Sequence, residues 1–281
     1  MTFLTEPFAA EFLLRALVGG VLVATMCAIV GTWVVVRGMA FLGEAMAHGM
    51  LPGVAAASLL GLPAIVGAAV SAIVMTAGIG LVARTGRLSN DTSIGLLFVG
   101  MLSLGVIIVS HSRSFATDLT AILFGDVLAV TSSDLALLAG ALLVTITIAV
   151  GFHRPFLALA FDARVAATLG LRPKLAHGVL VGLVTLAVVA SYGAVGSLLV
   201  VGLLLAPAVA AAAWARRIHS IMLLGSAFGA LSVAIGLLVS WHAATAAGAS
   251  IAASAIALAA LSTAVRTLTR LPQQKAARAV S

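Results

Sequence analysis

Uncharged apolar runs, each about as long as a lipid bilayer is thick, follow one another along almost the whole chain. The runs 16–36 and 64–83 are two examples, and neither contains a charged side chain. A helix needs about 20 apolar residues to cross the hydrocarbon core of a membrane. Because 63% of the 281 residues are apolar and 8% are charged, a soluble core cannot bury them. The sequence therefore predicts an all-α, polytopic membrane bundle, and it excludes soluble enzymes, disordered chains and disulfide scaffolds.

The edges of the apolar runs predict about eight or nine transmembrane helices. The nine predicted spans are 16–36, 39–60, 64–83, 92–110, 135–152, 175–192, 197–215, 218–240 and 249–265. A shorter run at 119–130 contains Asp126, and we interpret it as a partial or re-entrant helix. The whole chain, 1–281, is taken as one integral-membrane domain with a basic tail at about 266–281.

Basic residues are distributed unevenly between the loops of this topology. If the loop 154–174 faces the cytoplasm, all but Arg15 and Arg113 of the 15 Lys and Arg residues fall on the cytoplasmic side. The positive-inside rule then places the N-terminus outside and the C-terminus in the cytoplasm. The net charge of +7 follows from this topology and does not point to nucleic acid.

The second predicted span contains two ionisable residues, Glu44 and His48. They are four residues apart, so their side chains share one helix face. His48 would lie about 13 Å into a hydrocarbon core about 30 Å thick, where ionisable groups are costly and usually functional. Carboxylate and imidazole are ligands of manganese, zinc and iron. The pair predicts a divalent-metal contact, and a simple interhelical hydrogen bond or ion pair is the alternative.

Two prolines are expected to disturb the helices that contain them. Pro52 has no N–H, so the carbonyl of His48 loses its helical partner, and we expect a kink with a free carbonyl beside the pair. Pro207 likewise leaves the carbonyl of Leu203 without its helical partner. It either kinks the helix or serves the packing of that helix against its neighbours.

Other polar residues within or beside the apolar runs are weaker candidates. Asp126 would attract cations at the outer mouth of a transport path, or it caps a helix end. His153, His177 and His219 fall at the cytoplasmic edges of the spans and are assigned no role.

The loop after the fifth span has an amphipathic pattern. Apolar and polar residues alternate at near-helical spacing, and a terminal glycine is suited to end a helix. The residues that carry this pattern are Phe161, Asp162, Arg164, Ala166, Leu169 and Gly170. We expect a short helix that docks a soluble partner, with a helix lying on the membrane surface as the alternative.

No nucleotide-binding loop occurs in the sequence. The two lysines, Lys174 and Lys275, are not in a glycine-rich context that would hold phosphates. The chain is therefore not expected to be an enzyme, and any ATP hydrolysis would belong to a separate subunit.

Four stretches of the chain, in sequence order, carry a family resemblance. They are 37–48 with 51–53, 123–130 with 134–135, 161–170, and 195–200 with 204–208. Together they resemble the membrane permease of bacterial zinc, manganese and iron ABC importers, the ABC-3 family. The resemblance implies a homodimeric permease of the bacterial inner membrane, with no permanently bound cofactor and a divalent metal as transported substrate.

The same resemblance implies partners and site residues. Two cytoplasmic ATP-binding subunits would dock on the loop around Asp162 and Gly170, and their ATP cycle would drive alternating access. An extracytoplasmic metal-binding protein would deliver the ion. Glu44 and His48 would be the intramembrane metal contacts.

Two departures from the family pattern stand out. The family usually has Asp at the position of Glu44, and often an Asp-x-Pro-x-Gly stretch where this chain has 244–248. Three alternatives remain open: a siderophore or corrin permease, an ion-coupled secondary transporter, and a structural subunit in which Glu44 and His48 merely pair.

Overall fold

The computed structural model describes residues 10–84, 90–110 and 125–279, and their regular structure is helical throughout. The apolar runs form helices because a helix satisfies its backbone hydrogen bonds internally, as lipid requires. The helices are α1 (Glu11–Val36), α2 (Ala40–Gly49), α3 (Leu51–Leu59), α4 (Ala64–Arg84), α5 (Asn90–Ser110), α6 (Ser132–Gly151), α7 (His153–Phe161), α8 (Ala163–Thr168), α9 (Pro173–Ala212), α10 (Ile218–Ala243) and α11 (Ala247–Ala279), with a single 3₁₀ turn at Val127–Ala129.

Seven of the described helices are long and apolar enough to cross a membrane, namely α1, α4, α5, α6, α9, α10 and α11. The nine predicted spans agree with this number once two features are considered. The predicted span 39–60 is divided into α2 and α3, each too short to cross alone. Helix α9 has 40 residues, a length of about 60 Å and twice a bilayer core. It contains two of the predicted spans.

Helix α9 consists of two arms, 173–195 and 197–212, joined at Gly196. This residue has φ 71° and ψ 166°, which is not helical and which is accessible essentially to glycine alone. Gly125 packs directly on this point, because a Cβ added to it would lie 2.3 Å from the Gly196 nitrogen. The predicted spans 175–192 and 197–215 leave four residues between them, and the structure makes the change of direction at one of these four, Gly196.

The contacts of α9 with α1 show that the two arms run in opposite directions. The first arm begins beside the end of α1, where Arg37 Nη1 donates to His177 Nδ1 at 3.1 Å. The second arm runs parallel to α1. Cys27 Sγ lies 4.0 Å from the carbonyl oxygen of Val200. One turn further along both helices, Gly31 packs against the carbonyl of Leu204. The chain therefore reverses at Gly196 and crosses the bundle twice.

The bundle has two chemically different ends. We call one the basic end: α1 finishes there, α7 and α8 lie there, and α10 begins there. The ring of Trp33 meets His153 and Phe156 at this end, with centroid separations of 5.5 and 5.4 Å. At the other end, which we call the acidic end, Glu11 at the start of α1 lies beside the segment that precedes α6.

Helix α11 continues beyond the predicted end of the last span at residue 265 and reaches Ala279. The predicted basic tail at about 266–281 therefore begins as a continuation of the last membrane helix. Arg266 Nε donates to the carbonyl of Ala213 at 3.2 Å, and its guanidinium lies 5.1 Å from the centre of the Trp214 ring. Trp214 Nε1 in turn donates to Ser262 Oγ at 2.8 Å. These contacts attach α11 to the end of α9.

The closest helix contact generates a stability prediction. A Cβ at Gly31 would lie 1.8 Å from the carbonyl oxygen of Leu204, whereas a Cβ at Gly140 in α6 meets nothing within 4 Å. Gly31→Ala should force α1 and the second arm of α9 apart and cost about 1–3 kcal/mol of stability. Thermal unfolding of the detergent-solubilised protein should show a lower Tm for Gly31→Ala and no decrease for Gly140→Ala. Equal Tm values would contradict the close contact.

Candidate functional site

The structure places Glu44 and His48 one turn apart on α2, as the sequence spacing predicted. His48 Nδ1 lies 3.3 Å from Glu44 Oε1 and 3.2 Å from the backbone carbonyl oxygen of Glu44. Both side chains remain partly accessible, at 20% for His48 and 35% for Glu44. Since both oxygens lie on the Nδ1 side, a proton on Nδ1 leaves Nε2 with a free lone pair, which is the form that binds metal ions.

An aromatic contact orients the imidazole of His48. The ring of Phe98, on α5, meets it edge-on with centroids 5.8 Å apart and planes at 79°. Phe98 is itself held by Phe41, with centroids 5.4 Å apart and planes at 76°. Sequence reasoning missed Phe98, because a phenylalanine within an apolar run carries no signal of its own.

The helix that carries the pair is interrupted directly after it. Helix α2 ends at Gly49 and α3 begins at Leu51, with Pro52 in its first turn, so the predicted break at Pro52 is present. The expected free carbonyl at His48 is wrong, because the N–H of Met50 donates to it. Ser71 Oγ, from α4, donates to the neighbouring carbonyl of Gly49 at 2.8 Å. The break is thus stabilised by protein contacts.

The number of ligands on one chain is small. Within the described ranges, no group of three or more His, Cys, Asp or Glu side chains is arranged to hold a metal ion. The acceptor atoms that the pair leaves unused are the Nε2 atom of His48 and the second carboxylate oxygen of Glu44, so an ion held here would need further ligands from elsewhere. Two ligands suit an ion that binds briefly.

Asp126 and Pro207 each had two alternative roles in the sequence analysis, and the structure bears on one role of each. Asp126 is exposed and precedes the 3₁₀ turn, which its side chain does not cap by a hydrogen bond; the first part of the predicted partial helix, 119–124, lies outside the described residues. Pro207 is buried within the second arm of α9, and the backbone outlier of that helix is Gly196 instead. Pro207 packs against α10, since a Cβ at Gly225 would lie 3.5 Å from its carbonyl oxygen.

The loop predicted to dock a partner lies at the basic end and forms two short helices instead of one. Phe161 ends α7, and Asp162 caps α8 by accepting a hydrogen bond from the Arg164 N–H at 2.7 Å. Ala166 is buried, and Gly170 adopts φ 71° just beyond the helix, which confirms its role as a terminator.

Apolar side chains of this segment are strongly exposed. Phe161 is 82% exposed and Leu169 63%. They line a groove of about 550 Å³ together with Leu157, Val165 and Arg154. The segment from His153 to Gly170, which we call the docking segment, therefore presents an apolar surface with a basic edge.

A broken helix that holds an ionisable pair inside an apolar bundle is typical of membrane transport proteins. A family model described as the ABC 3 transport family matches residues 9–266. The chain therefore belongs to the ABC 3 transport family, and the resemblance seen in the sequence is confirmed.

Relatives support this membership over most of the chain. The manganese transport system membrane protein MntC of Listeria monocytogenes is 38% identical over 241 residues, which are 86% of this chain and 86% of MntC. A probable iron transport system membrane protein of Haemophilus influenzae is 32% identical, over 85% of this chain and 88% of that protein. A chain of the solved structure of PsaBC from Streptococcus pneumoniae in complex with Fab superposes with a TM-score of 0.80 at 32% identity, over 92% of this chain and 94% of its own.

The cap of α8 can be tested locally. Asp162→Ala removes the acceptor of the Arg164 N–H and should cost about 0.5–2 kcal/mol of helix stability, whereas Asp162→Asn retains an acceptor. Hydrogen exchange of peptides covering 163–169 should be faster in Asp162→Ala by a factor of about 2–30, and close to the original rate in Asp162→Asn. Unchanged exchange in Asp162→Ala would show that the cap does not hold this helix.

Proposed function

We propose that this chain is the permease subunit of an ABC importer that moves a divalent transition metal, manganese or ferrous iron, across a bacterial cell membrane. The observation that carries the proposal is the partly accessible Glu44–His48 pair on a broken helix of an ABC 3 family bundle. The ion would contact the pair transiently during transport. It is substrate, and no resident cofactor is part of the proposal.

The donor set favours this class of ion. Imidazole nitrogen combined with carboxylate oxygen accommodates Mn²⁺ and Fe²⁺ as well as Zn²⁺. The names of the relatives, manganese and iron transport proteins, direct the choice toward the first two. His48 would bind the ion through Nε2. Glu44 would accept a hydrogen bond from Nδ1 of His48 through one carboxylate oxygen and bind the ion through the other. Weak binding suits transport, because the ion must leave again.

A second copy of the chain would complete the site. One copy supplies one carboxylate and one imidazole, and a two-fold axis beside the pair would bring an equivalent set from the partner. Four protein ligands would then surround the ion, a number that first-row divalent metals commonly accept. The proposed assembly is therefore a homodimer with the ion path between the two bundles.

Charge sets the proposed orientation. The basic end would face the cytoplasm, because arginines concentrate on that side of membrane proteins, and Arg37, Arg217 and Arg266 all lie there. The N-terminus would then be outside and the C-terminus inside. The acidic end, including exposed Asp126, would face the extracytoplasmic side and attract cations released there by a separate metal-binding protein.

The docking segment would couple the bundle to two cytoplasmic ATP-binding subunits. Its exposed Phe161 and Leu169 would insert into an apolar recess of the ATPase, and Arg154 would pair with acids at the rim. ATP binding would draw the two ATPase subunits together, and the docking segment would transmit that motion to α6 and α9, which flank it. The site would then open alternately to either side.

Metal uptake by the complete complex in vesicles tests the site. His48→Ala removes the Nε2 ligand, and ATP-dependent uptake of Mn²⁺ or Fe²⁺ should fall by at least about tenfold, with Glu44→Gln also impaired. Thr185→Val is the matched control. It removes a polar interhelical contact, the 2.9 Å hydrogen bond between Thr76 and Thr185, without touching the pair, and it should transport normally.

The other outcomes of this experiment separate the alternatives. Full uptake by His48→Ala, with the complex assembled, would leave Glu44 and His48 as a structural pair. Uptake that continues with a hydrolysis-deficient ATPase would favour an ion-coupled transporter. No metal uptake by the unmodified complex would overturn the importer and favour a bulkier ligand such as a siderophore.

Co-purification of the ATPase tests the docking segment. Replacing Phe161 and Leu169 together by Ala removes most of the exposed apolar surface at the groove, so the ATPase retained on the permease should decrease by at least about tenfold. The control replaces Leu223 and Ile107, which are 74% and 60% exposed on α10 and α5, and it should retain the ATPase. Equal retention by both double variants would show that the ATPase docks elsewhere.

A further inference from the structure

Two histidines meet at the basic end, away from the Glu44–His48 pair. The rings of His153 and His219 have centroids 4.5 Å apart and planes inclined at 36°. His153 is the first residue of α7 and His219 the second residue of α10, so the fold alone brings them together. His219 is exposed and His153 is partly buried, which leaves the pair open to solvent.

The spacing of the rings fits two imidazoles that share one ion. An imidazole nitrogen binds a first-row metal at about 2.0–2.1 Å, so two rings at cis positions around one ion have centres about 4.6–5.3 Å apart. The observed separation of 4.5 Å lies just below this range, and a small outward movement of the exposed His219 ring would bring the two rings into it. Water would supply the other ligands.

The protonation state also fits a metal ligand. Burial is the main cause that lowers the pKa of His153 below its ordinary value, and the neighbouring His219 lowers it further. This imidazole is therefore neutral at pH 7. Metal ions bind only the neutral form. Among the described residues, no ion pair joins either ring to a carboxylate, so neither imidazole is held in its charged form by an acidic partner.

We propose that His153 and His219 form a second metal site, selective for Zn²⁺, Ni²⁺ or Cu²⁺ over Mn²⁺. The selectivity follows from two arguments. Imidazole favours the metals late in the first-row series, whereas Mn²⁺ prefers carboxylate and water. Arg154 and Arg217 are also within two residues of the histidines along the chain, and both rings lie at the N-terminal ends of helices, which disfavour cations, so the ion must gain enough from its bonds to nitrogen to offset this repulsion.

Such an ion would join two moving parts. Helix α7 begins the docking segment, and α10 packs on α1 through contacts such as Gly229 with Ala24. An ion between His153 and His219 would fix the docking segment to the bundle, and ATP-driven transport would slow. This consequence rests on the proposed function, whereas the metal site itself does not.

Zinc binding by the complete complex, purified through a tag without histidine, tests the site directly. The background carries Glu44→Gln and His48→Ala, so that the pair in α2 does not contribute. Equilibrium dialysis against Zn²⁺ alone should show one ion fewer per chain after His219→Ala, or an affinity lower by at least about tenfold. Since His219 is exposed, this variant should fold, and His153→Gln should give the same loss.

The matched control is His242→Ala, which removes one imidazole near the end of α10 opposite to His219 and should leave zinc binding unchanged. A tenfold excess of Mn²⁺ should not displace the zinc. Unchanged zinc binding in both His219→Ala and His153→Gln would overturn the site, and equal affinity for Mn²⁺ would overturn its selectivity.

The consequence for transport has its own readout. In vesicles that enclose the ATPase side of the complex together with ATP, added internal Zn²⁺ should slow Mn²⁺ uptake. The factor by which Zn²⁺ slows uptake should be smaller in His219→Ala. If Zn²⁺ binds at the pair and the ratio stays the same, the coupling to the docking segment is wrong while the site stands. If no uptake occurs at all, the proposed function fails and the dialysis result still decides the site.

Discussion

Every backbone N–H and carbonyl inside a membrane needs a partner from the protein, and this constraint governs where the helices of this chain are allowed to break. Two such breaks lie inside the described part of the bundle: one at Met50, within the predicted span 39–60, and one at Gly196, between the predicted spans 175–192 and 197–215. Met50 is 1% exposed, and Ser71 donates to the carbonyl beside it. Gly196 is buried against Gly125. Both breaks are therefore enclosed by protein, and each one creates a feature that a straight helix cannot supply.

The two breaks have different consequences. The break after Gly49 ends the helix that carries Glu44 and His48, so the pair lies next to irregular backbone inside the bundle. The reversal at Gly196 brings the second arm of α9 alongside α1, where Gly31 lies on the carbonyl of Leu204. That packing keeps α1 in the centre of the bundle, and α1 in turn orders the basic end through the contact of Trp33 with His153.

Features that depend on neighbouring residues could be predicted from the sequence. The spans could be predicted from the lengths of the apolar runs, and the shared face of Glu44 and His48 from their spacing of four residues. The break near Pro52 could be predicted from the N–H that proline lacks, and the end of α8 from Gly170. Features that depend on tertiary contact could not. Phe98 reaches His48 from another helix, and Arg266 is held by Ala213 and Trp214. The predicted spans placed the reversal between residues 192 and 197, but the sequence did not indicate that Gly196 alone would make it, because a glycine between apolar helices most often serves close packing.

The glutamate at position 44, where the family resemblance led us to expect an Asp, has a physical consequence in this geometry. The Glu44 side chain reaches toward the following turn of the helix, so one carboxylate oxygen lies 3.3 Å from His48 Nδ1. An Asp is shorter by one methylene, and its oxygens would lie up to about 1.5 Å further from that nitrogen. In the proposed function, Glu44 would combine two tasks: it would orient the imidazole, and it would still offer an oxygen to the ion. The imidazole would then be the principal ligand of each chain, which would shift the donor set toward nitrogen. Two such chains around one ion would bind Fe²⁺ more strongly than Mn²⁺ by the usual order of metal affinities, so the choice between these two ions depends also on how the rest of the transport system supplies them.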